Sequence, residues 1–372
     1  MIARYMAGVV AGTRLGPGAS LLRGVLSVPA LAYSGGLKLY LLLYRAGVRK
    51  QARLSKPVIS VGNITSGGTG KTPLVAMICS SLANRGIRAA VLSRGYRGMF
   101  EHSAAVVATP DRLELTPRQA GDEAYLLAHL LPGTPVLVGK DRRRTGTMAI
   151  ERFQPDVLIL DDGMQFYQLY RDLDIATVNA LDPFHNGWTL PRGLLREPPS
   201  HIRRAQVIVV TNSDRVAPSG LTRLLQHLAR LAPASEVFTA TTVAHALHPL
   251  DRSAAIPVEW LQGKRVATLC ALAYPQAFEE QMRALGAEVV HAARLPDHEE
   301  PTMAQLQEFV AQAATRGAEA VIVSQKDAVK LPPINRPLPF YALGSTLAVD
   351  DTDRFLKRIM AVVRQSSGGA SG

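Results

Sequence analysis

The sequence predicts an α/β fold: a parallel sheet flanked by helices, followed by a second, smaller α/β domain and preceded by an amphipathic helical segment. One observation is that short apolar runs alternate with helical stretches along most of the chain. Another is a glycine-rich loop that follows one such run and opens a helix. The third is that 372 residues, 47% of them hydrophobic and 19% charged, can bury a core large enough for two domains.

The N-terminal segment, residues 1–50, is strongly apolar and ends in a basic cluster. Only fourteen uncharged residues lie between Arg23 and Lys38, fewer than the roughly 20 that a spanning helix needs. A cleaved signal peptide is a poor match, because no small-residue cleavage site follows one compact apolar core. Tyrosines mixed with leucines between basic residues indicate a helix lying in a membrane interface. The alternative is an amphipathic helix packed on the protein's own core.

The stretch 60–73 reads SVGNITSGGTGKTP and matches the phosphate-binding pattern G-x-x-x-x-G-K-[ST], except that Thr65 takes the place of the leading glycine. A predicted strand at 57–61 precedes the loop and a predicted helix at 74–84 follows it, which puts phosphates at a helix N-terminus. The alternative is a glycine-rich turn that contains a lysine by chance. The residues predicted to bind ATP or GTP are Thr65, Ser66, Gly67, Gly68, Thr69, Gly70, Lys71 and Thr72.

Further strands are predicted along the rest of the chain, in two groups separated by a boundary near 245–262, where prolines and a glycine interrupt the pattern. The first group is 89–93, 104–108, 136–138, 157–160, 175–178 and 207–211. The second group is 266–269, 288–291, 320–324 and 340–342, with helices at 275–285 and 303–316. The resulting units are a nucleotide-binding domain at 51–250, a smaller α/β domain at 251–348, and a C-terminal helix with a disordered tail at 349–372.

Acidic residues occur where a nucleotide site needs them. Asp161 and Asp162 directly follow a predicted strand, and ligands of open α/β sheets bind at the carboxyl ends of strands. The alternative is an ordinary Asp-Gly turn. Asp122 and Glu123 open a predicted helix, where acidic residues usually act as caps. His298 lies in the polar stretch PDHEEP at 296–301.

The net charge of +12 and the pI near 9.9 favour an anionic partner, such as nucleic acid, an anionic membrane or a phosphorylated substrate. Aromatic residues are only 6% and do not interleave with basic ones, so a nucleic-acid surface is not indicated. Cys79 and Cys270 are far apart and lack metal-ligand spacing. They suit a reducing compartment and are most simply two small buried residues.

Eight motifs occur in order along the chain: SVGNITSGGTGKTP (60–73), LSRGYRG (92–98), GDE (121–123), VGKDRR (138–143), DDGMQ (161–165), NGWTLPRGLLREP (186–198), PDHEE (296–300) and SQKDAVKL (324–331). Together they resemble the tetraacyldisaccharide 4′-kinase family of lipid A biosynthesis along nearly the whole chain. In that family the threonine at position 65 is usual. Met164, where the family mostly has Phe, and the stretch DPFHNGW depart from the family pattern.

The resemblance implies a P-loop NTPase-like fold and transfer of the ATP γ-phosphate to the 4′-hydroxyl of a tetraacylated glucosamine disaccharide 1-phosphate, which gives the lipid A precursor lipid IVA. It places the enzyme on the cytoplasmic face of the bacterial inner membrane, peripheral or interfacially inserted. The partners are an anionic glycolipid and the membrane surface; neither nucleic acid nor an obligate protein partner is indicated. Such a substrate accounts for both the basic charge and the apolar N-terminal segment.

The resemblance also assigns roles. Lys71 binds the β- and γ-phosphates and serves catalysis, while Thr72 binds Mg²⁺. Asp162, together with Asp161 or Glu123, completes the metal site. Asp122 paired with His298 forms the base that acts on the sugar hydroxyl. The residues implied to bind the substrate are Arg94, Tyr96, Asn186, Arg192 and Arg196.

Two other functions fit parts of the sequence. A membrane-associated P-loop ATPase or GTPase of the partitioning or targeting type would couple hydrolysis to a protein partner. Guanine recognition uses an N-K-x-D element, whereas Lys326 and Asp327 are adjacent here, which favours ATP. A basic nucleic-acid-binding protein would leave the paired aspartates and the apolar N-terminus unexplained.

Overall fold

The computed structural model describes residues 2–251, 253–272, 274–295, 301–331 and 337–367. Within these residues thirteen strands form one sheet. The strands are β1 (Val58–Gly62), β2 (Ala89–Ser93), β3 (Ala105–Ala108), β4 (Val136–Val138), β5 (Val157–Asp161), β6 (Leu173–Asn179), β7 (Val207–Thr211), β8 (Glu236–Pro249), β9 (Ile256–Pro257), β10 (Arg265–Cys270), β11 (Glu288–Arg294), β12 (Ala320–Ser324) and β13 (Phe340–Val349).

Helices precede, connect and follow these strands. They are α1 (Ile2–Val10), α2 (Pro17–Arg45), α3 (Lys71–Ala83), α4 (Pro117–Ala120), α5 (Asp122–Leu130), α6 (Arg142–Phe153), α7 (Pro218–Leu231), α8 (Pro275–Ala284), α9 (Met303–Thr315), α10 (Gln325–Ala328) and α11 (Thr352–Ser367). Short 3₁₀ turns occur at Pro199–Arg204, Ser213–Arg215 and Val258–Leu261. The strands and helices expected from the sequence are present, and β13 runs on to Val349 instead of ending at 342.

The strand order across the sheet is β11-β10-β12-β13-β8-β7-β6-β1-β5-β2-β4-β3, and β9 pairs with β8. Neighbours are parallel except at three antiparallel pairings: β3 with β4, β8 with β9 and β8 with β13. The α/β class is confirmed, with a mixed sheet instead of an entirely parallel one. An apolar run looks the same in either direction, so the sequence pattern does not reveal strand polarity.

The long strand β8 was not predicted from the sequence. It alternates threonine, alanine and histidine, and most of its residues are only half-buried, so it does not form an apolar run. Its first four residues pair with β7, and its residues from Ala240 onward pair with β13. The strands that follow it in sequence therefore continue the same sheet. The division into two domains near 245–262 stays a prediction.

Helices cover both faces of the sheet because side chains alternate along buried strands. On β1, Ile59 and Val61 pack in the core with α3, α5 and α11, while Val58 packs in the core of the opposite face with α6. Helix α11 reaches back from the end of the chain, and its Phe355 ring lies 5.4 Å from Phe238 at the start of β8. The C-terminal helix thus completes the core beside the glycine-rich loop.

Helix α2 has 29 residues and, by length and composition alone, is apolar enough to cross a membrane. Counting only the uncharged residues between Arg23 and Lys38 predicts a segment too short for a membrane-spanning helix. That expectation about length was wrong, because the helix continues through both charged residues. One face packs on the rest of the protein: the Tyr33 hydroxyl donates to the Arg196 carbonyl (2.9 Å), and the Ser34 and Thr189 hydroxyls are 2.8 Å apart. The opposite face exposes leucine and valine side chains.

Candidate active site

The glycine-rich loop connects β1 to α3 at the centre of the sheet, and side chains behind it hold its shape. Asn63 donates its amide to the hydroxyls of Thr69 (2.7 Å) and Thr65 (3.2 Å). The Thr211 hydroxyl donates to the Thr69 carbonyl (3.1 Å). Thr65 is buried and takes part in this support, which explains a threonine at the position where the common pattern has glycine. The loop is therefore held in place by the protein itself, before any ligand is considered.

Gly70 is required at the end of the loop for two reasons. Its φ of +79° lies in the left-handed region, which strains residues that carry a Cβ. A Cβ at this position would also lie 3.0 Å from the Thr211 methyl carbon. Helix α3 begins at the next residue, so its unsatisfied N–H groups and positive dipole end face the loop, where they favour an anion.

A cleft of about 2430 Å³ opens above the loop and reaches the strands beyond β8. Its walls include Tyr274 and Tyr341 from the C-terminal half of the chain. Most residues expected at the site line this cleft. Those residues are Ser66, Gly67, Gly68, Thr69, Gly70, Lys71, Thr72, Arg94, Tyr96, Glu123, Asp162 and Arg196.

Asp162 lies between two cations in the cleft. Its Oδ1 is 3.7 Å from Lys71 Nζ, and its Oδ2 is 2.6 Å from Arg196 Nη1. Burial alone would raise the pKa of the Asp162 carboxyl, but Lys71 and Arg196 outweigh burial and lower that pKa to about 2. Asp162 therefore stays ionised and holds the Lys71 and Arg196 side chains together beside the nucleotide loop.

Asp161 has the opposite environment although it is the adjacent residue. It is 1% exposed and accepts a hydrogen bond from the Ser93 hydroxyl at 3.0 Å. Burial, followed by repulsion from Glu123 and Asp162, raises the pKa of the Asp161 carboxyl to about 7. Oδ1 of Asp161 and Oδ1 of Asp162 both lack a hydrogen-bond partner among the described residues.

These carboxylates suit a magnesium ion that also binds phosphate. In the part of the chain that the structure describes, no cluster of three or more His, Cys, Asp or Glu side chains could hold a metal alone. Mg²⁺ usually takes one or two carboxylates and completes its shell with phosphate and water. The orphaned oxygens of Asp161 and Asp162, with Thr72 and Glu123 in the cleft wall, fit that requirement.

Asp122 is the first residue of α5, but the N-cap is Gly121 and, among the described residues, no side chain makes a capping hydrogen bond there, so Asp122 does not act as a helix cap. Its Oδ2 lies 2.5 Å from Lys330 Nζ, which comes from the C-terminal half of the chain. Its expected partner His298 lies outside the described residues, so the pairing stays a prediction. Glu123, the next residue, lines the cleft.

Asn186 and Arg192 lie toward the N-terminal helices and not in the nucleotide cleft. The Asn186 amide donates to the Val10 carbonyl at 2.9 Å. Arg192 donates to the Ser27 hydroxyl at 2.8 Å, and its guanidinium lies 3.3 Å from the centre of the Trp188 ring. The structure thus separates these two residues from Arg196, which faces Asp162.

Three further residues support the site and were not singled out in the sequence. The Gln165 amide donates to the Asn63 carbonyl (2.7 Å) and to Glu197 Oε1 (2.9 Å). Arg142 is buried, which lowers the pKa of its guanidinium, and it faces Asp162 and Asp161. Gln165, Glu197 and Arg142 lie inside the quoted motifs, but nothing local in the sequence indicates the contacts they make with distant parts of the site.

His185, in the DPFHNGW stretch, links a neighbouring loop to the nucleotide loop. Its Nδ1 lies 2.6 Å from Asp182 Oδ2, and its Nε2 lies 3.2 Å from the Ser66 carbonyl oxygen. The hydrogen bond with Asp182 raises the pKa of the His185 ring. The DPFHNGW stretch, although it departs from the family pattern, therefore contributes a residue that holds the nucleotide loop in place.

Proteins similar to this chain are named tetraacyldisaccharide 4′-kinases. The family model of LpxK, tetraacyldisaccharide-1-P 4′-kinase, matches residues 22–364. The tetraacyldisaccharide 4′-kinase of Pelobacter propionicus is 40% identical over 335 residues, 89% of each chain. That of Anaeromyxobacter dehalogenans is 42% identical over 291 residues, 78% of this chain and 76% of the relative.

Among solved structures, LpxK from Aquifex aeolicus in complex with ATP matches with a TM-score of 0.73 and 28% identity. The match covers 92% of this chain and 99% of that chain. The resemblance drawn from the eight motifs and the P-loop NTPase-like fold are confirmed. The chain therefore belongs to the tetraacyldisaccharide-1-P 4′-kinase family.

Proposed function

We propose that this protein transfers the γ-phosphoryl group of ATP to the 4′-hydroxyl of a tetraacylated glucosamine disaccharide 1-phosphate. The observation that carries the proposal is the arrangement of Lys71, Asp162 and Arg196 at the N-terminus of α3. Phosphoryl transfer depends mainly on positioning and on neutralising charge, and this arrangement supplies both. The names of the relatives and the ATP complex of the Aquifex aeolicus protein support the same reaction.

In the proposed reaction the sugar oxygen bonds to the γ-phosphorus while the bond from that phosphorus to the β,γ-bridging oxygen breaks. ADP leaves with the electrons of the broken bond. Asp122, with His298, accepts the proton of the hydroxyl. Lys71 and the N–H groups at the start of α3 neutralise the charge that develops on the phosphoryl and leaving oxygens.

The metal would be held by Thr72 and Asp162, with Asp161 or Glu123 completing the site. A bound Mg²⁺ would supply further neutralisation of the phosphate charge. The cation would also favour the ionised form of Asp161, whose carboxyl has a raised pKa without it. Arg196 fixes the Asp162 carboxylate through its 2.6 Å contact and leaves Oδ1 on the side of Lys71.

The disaccharide lipid would reach the cleft from the side of α2. Arg94 and the half-exposed Tyr96 line the cleft, and the Arg94 guanidinium lies 5.6 Å from the centre of the Tyr96 ring. An arginine beside an aromatic ring can bind both the phosphate and the sugar of a glycolipid. Asn186 and Arg192, placed against the N-terminal helices, would contact the lipid portion nearer the membrane.

Helix α2 would lie in the membrane interface on the cytoplasmic side. The Tyr33 and Ser34 hydroxyls near its centre bond to the rest of the protein, so the helix cannot be surrounded by lipid. Its other face exposes apolar side chains that can enter the bilayer. Those residues are Leu21, Val25, Val28, Leu31, Leu39 and Leu42.

The test is to incubate the full chain with ATP, Mg²⁺ and the disaccharide lipid and to analyse the lipid by mass spectrometry. The expected product carries one additional phosphate group on the 4′-oxygen, and its formation requires the lipid, ATP and Mg²⁺ together. The Lys71→Ala variant serves as the inactive control. Hydrolysis of ATP without a phosphorylated lipid would instead indicate an ATPase and overturn the proposal.

A further inference from the structure

Lys330 belongs to the C-terminal half of the chain, but its ammonium group contacts the start of α5. Its Nζ lies 2.5 Å from Asp122 Oδ2. The Lys330 side chain is 2% exposed, and the Asp122 side chain is 24% exposed. A buried ammonium group is costly unless it is paired, and among the described residues Lys330 forms its ion pair with Asp122, while its charge also acts on the nearby Asp327 carboxyl.

The segment that carries Lys330 is rigidly held. The Ser324 hydroxyl, at the end of β12, accepts from the Asp327 N–H (3.1 Å) and donates to Asp327 Oδ2 (2.6 Å). The same Oδ2 accepts from the Ala271 N–H (3.0 Å), directly after β10. The Lys330 N–H then donates to the Asp327 carbonyl at 3.0 Å. Lys330 is therefore fixed relative to the ends of two neighbouring strands.

Two lysines of this segment have different surroundings. Lys326 lines the nucleotide cleft, whereas Lys330 is buried against Asp122. A lysine that served only to attract the anionic nucleotide would be expected in the cleft wall, as Lys326 is. The position of Lys330 suits a lysine that acts on a protein carboxylate.

We propose that Lys330 is a positioning residue for phosphoryl transfer, which holds the Asp122 carboxylate where it can accept the proton of the sugar hydroxyl. The inference rests on the proposed function, because it takes Asp122 to be the base. The ion pair with Lys330, which belongs to a rigidly held segment, limits the rotation of the Asp122 side chain at the start of α5. Because Lys330 comes from the C-terminal half of the chain, its ion pair with Asp122 also makes the position of the Asp122 carboxylate depend on that half.

A purely structural tie between the two halves of the chain would use the same contact but would behave differently. Losing a structural tie would lower the melting temperature and disturb the whole cleft, so the KM for ATP would rise together with any loss in kcat. Losing a positioning contact would lower kcat and leave the KM for ATP unchanged. The ratio of these two effects therefore separates the two roles.

The experiment measures kcat and the KM for ATP of the full chain with ATP, Mg²⁺ and the disaccharide lipid. The variants are Lys330→Met, Lys330→Arg, Asp122→Asn and the double variant of Lys330→Met with Asp122→Asn. We expect Lys330→Met to lower kcat by up to about 10²-fold, the loss that a small misplacement of a reacting group can cause. Lys330→Arg should recover much of kcat because it keeps the charge. The double variant should be no slower than Asp122→Asn alone.

Lys264→Met is the matched control, because Lys264 lies in the same half and pairs with Glu319 at 2.7 Å on the surface. It should leave both constants unchanged. The proposal is overturned if Lys330→Met keeps the wild-type kcat, if Lys330→Arg is no faster than Lys330→Met, or if the two single losses multiply. If Lys330→Met does not unfold cooperatively, the Lys330→Arg variant decides the question. The proposal requires that the kcat of Lys330→Arg exceed the kcat of Asp122→Asn, and an equal or lower kcat overturns it.

A failure of the proposed function gives a different result. In that case wild-type protein makes no phosphorylated lipid, or Asp122→Asn keeps full kcat. If instead Asp122→Asn is slow while Lys330→Met is fast, the base assignment stands and only the positioning role of Lys330 is lost.

Discussion

At the residue scale, the environment of each carboxylate decides its charge. Asp161 and Asp162 are adjacent, but the pKa of Asp161 is raised to about 7 and that of Asp162 is lowered to about 2. The difference arises because Asp162 faces Lys71 and Arg196, whereas Asp161 is enclosed by the sheet and faces Glu123. Near neutral pH the site therefore contains one permanent carboxylate and one that a bound cation would help to ionise.

Replacing Lys71 with alanine should reduce phosphoryl transfer by at least about 10²–10³-fold, because one preorganised cation that stabilises the developing charge is lost. The fold should remain intact, since Asp162 keeps its 2.6 Å contact with Arg196. Lipid phosphorylation and the melting temperature are the two measurements. Lys264→Ala, on the surface, is the matched control and should keep full activity. Near-wild-type turnover by Lys71→Ala would contradict the prediction that this loop binds the nucleotide.

Glu197 should make the stability of the protein depend on acid pH. It is 0% exposed; burial would raise the pKa of its carboxyl, but hydrogen bonds from His201 and Arg204 lower that pKa to about 2. A lowered pKa stabilises the fold above the unfolded value of 4.5, and this contribution is lost as pH falls through about 2. Glu197→Gln should therefore cost on the order of 3 kcal/mol at pH 7, and the cost should shrink below about pH 4.5.

The measurement for Glu197 is the free energy of unfolding in denaturant at pH 7, 4 and 3 for both proteins. Glu319→Gln, at an exposed ion pair, is the control and should show a small difference at every pH. A difference between Glu197→Gln and wild type that stays constant with pH would mean that the carboxyl is not held ionised by its partners.

At the scale of elements, the sequence predicts best those that are buried on both sides. Strands such as β1 and β5 are continuous apolar runs, and the glycine-rich loop has a pattern of its own, so both could be located from the sequence. β8 could not, because it is half-exposed and pairs with β7 in one part and with β13 in the other. In the site, the paired aspartates were found from their place at the carboxyl end of β5. Gln165 and Glu197 act through contacts between distant parts of the chain, which no local pattern records.

Helix α2 should bind membranes through its exposed apolar face. Replacing Leu21, Val25 and Val28 with serine should weaken binding, because each side chain contributes about 1.5–3 kcal/mol when it is fully buried. All three are more than half exposed, and the contacts of Tyr33 with the rest of the protein stay in place. Flotation with vesicles that contain anionic lipid is the measurement. Met303→Ser, at an exposed site in α9, is the control; equal flotation of the triple variant and wild type would place the membrane contact elsewhere.

At the scale of the whole molecule, two elements join the halves of the chain. β8 belongs to both parts of the sheet, since it pairs with β7 and then with β13. α11 begins just after β13, but its Phe355 is fully buried in the core that contains α3 and β1. The nucleotide loop and the C-terminal wall of the cleft are therefore supported by shared structure. Such sharing favours cooperative unfolding of the whole chain, whereas the division into two domains predicts two separable units.

Two phenylalanine variants distinguish these outcomes. Phe355→Ala and Phe309→Ala should each cost about 3–5 kcal/mol, because both rings are buried, the first in the core near the nucleotide loop and the second in α9 of the C-terminal half. If the shared strand and helix make one cooperative unit, calorimetry shows a single unfolding transition, and both variants lower its midpoint temperature.

ATP with Mg²⁺ should then raise the midpoint of that transition in the wild type by mass action, because ligand at one hundred times its dissociation constant adds roughly 2.7 kcal/mol to the free energy of unfolding. If the halves unfold independently, Phe309→Ala shifts a second transition that the nucleotide leaves in place, and the two-domain division is the better description.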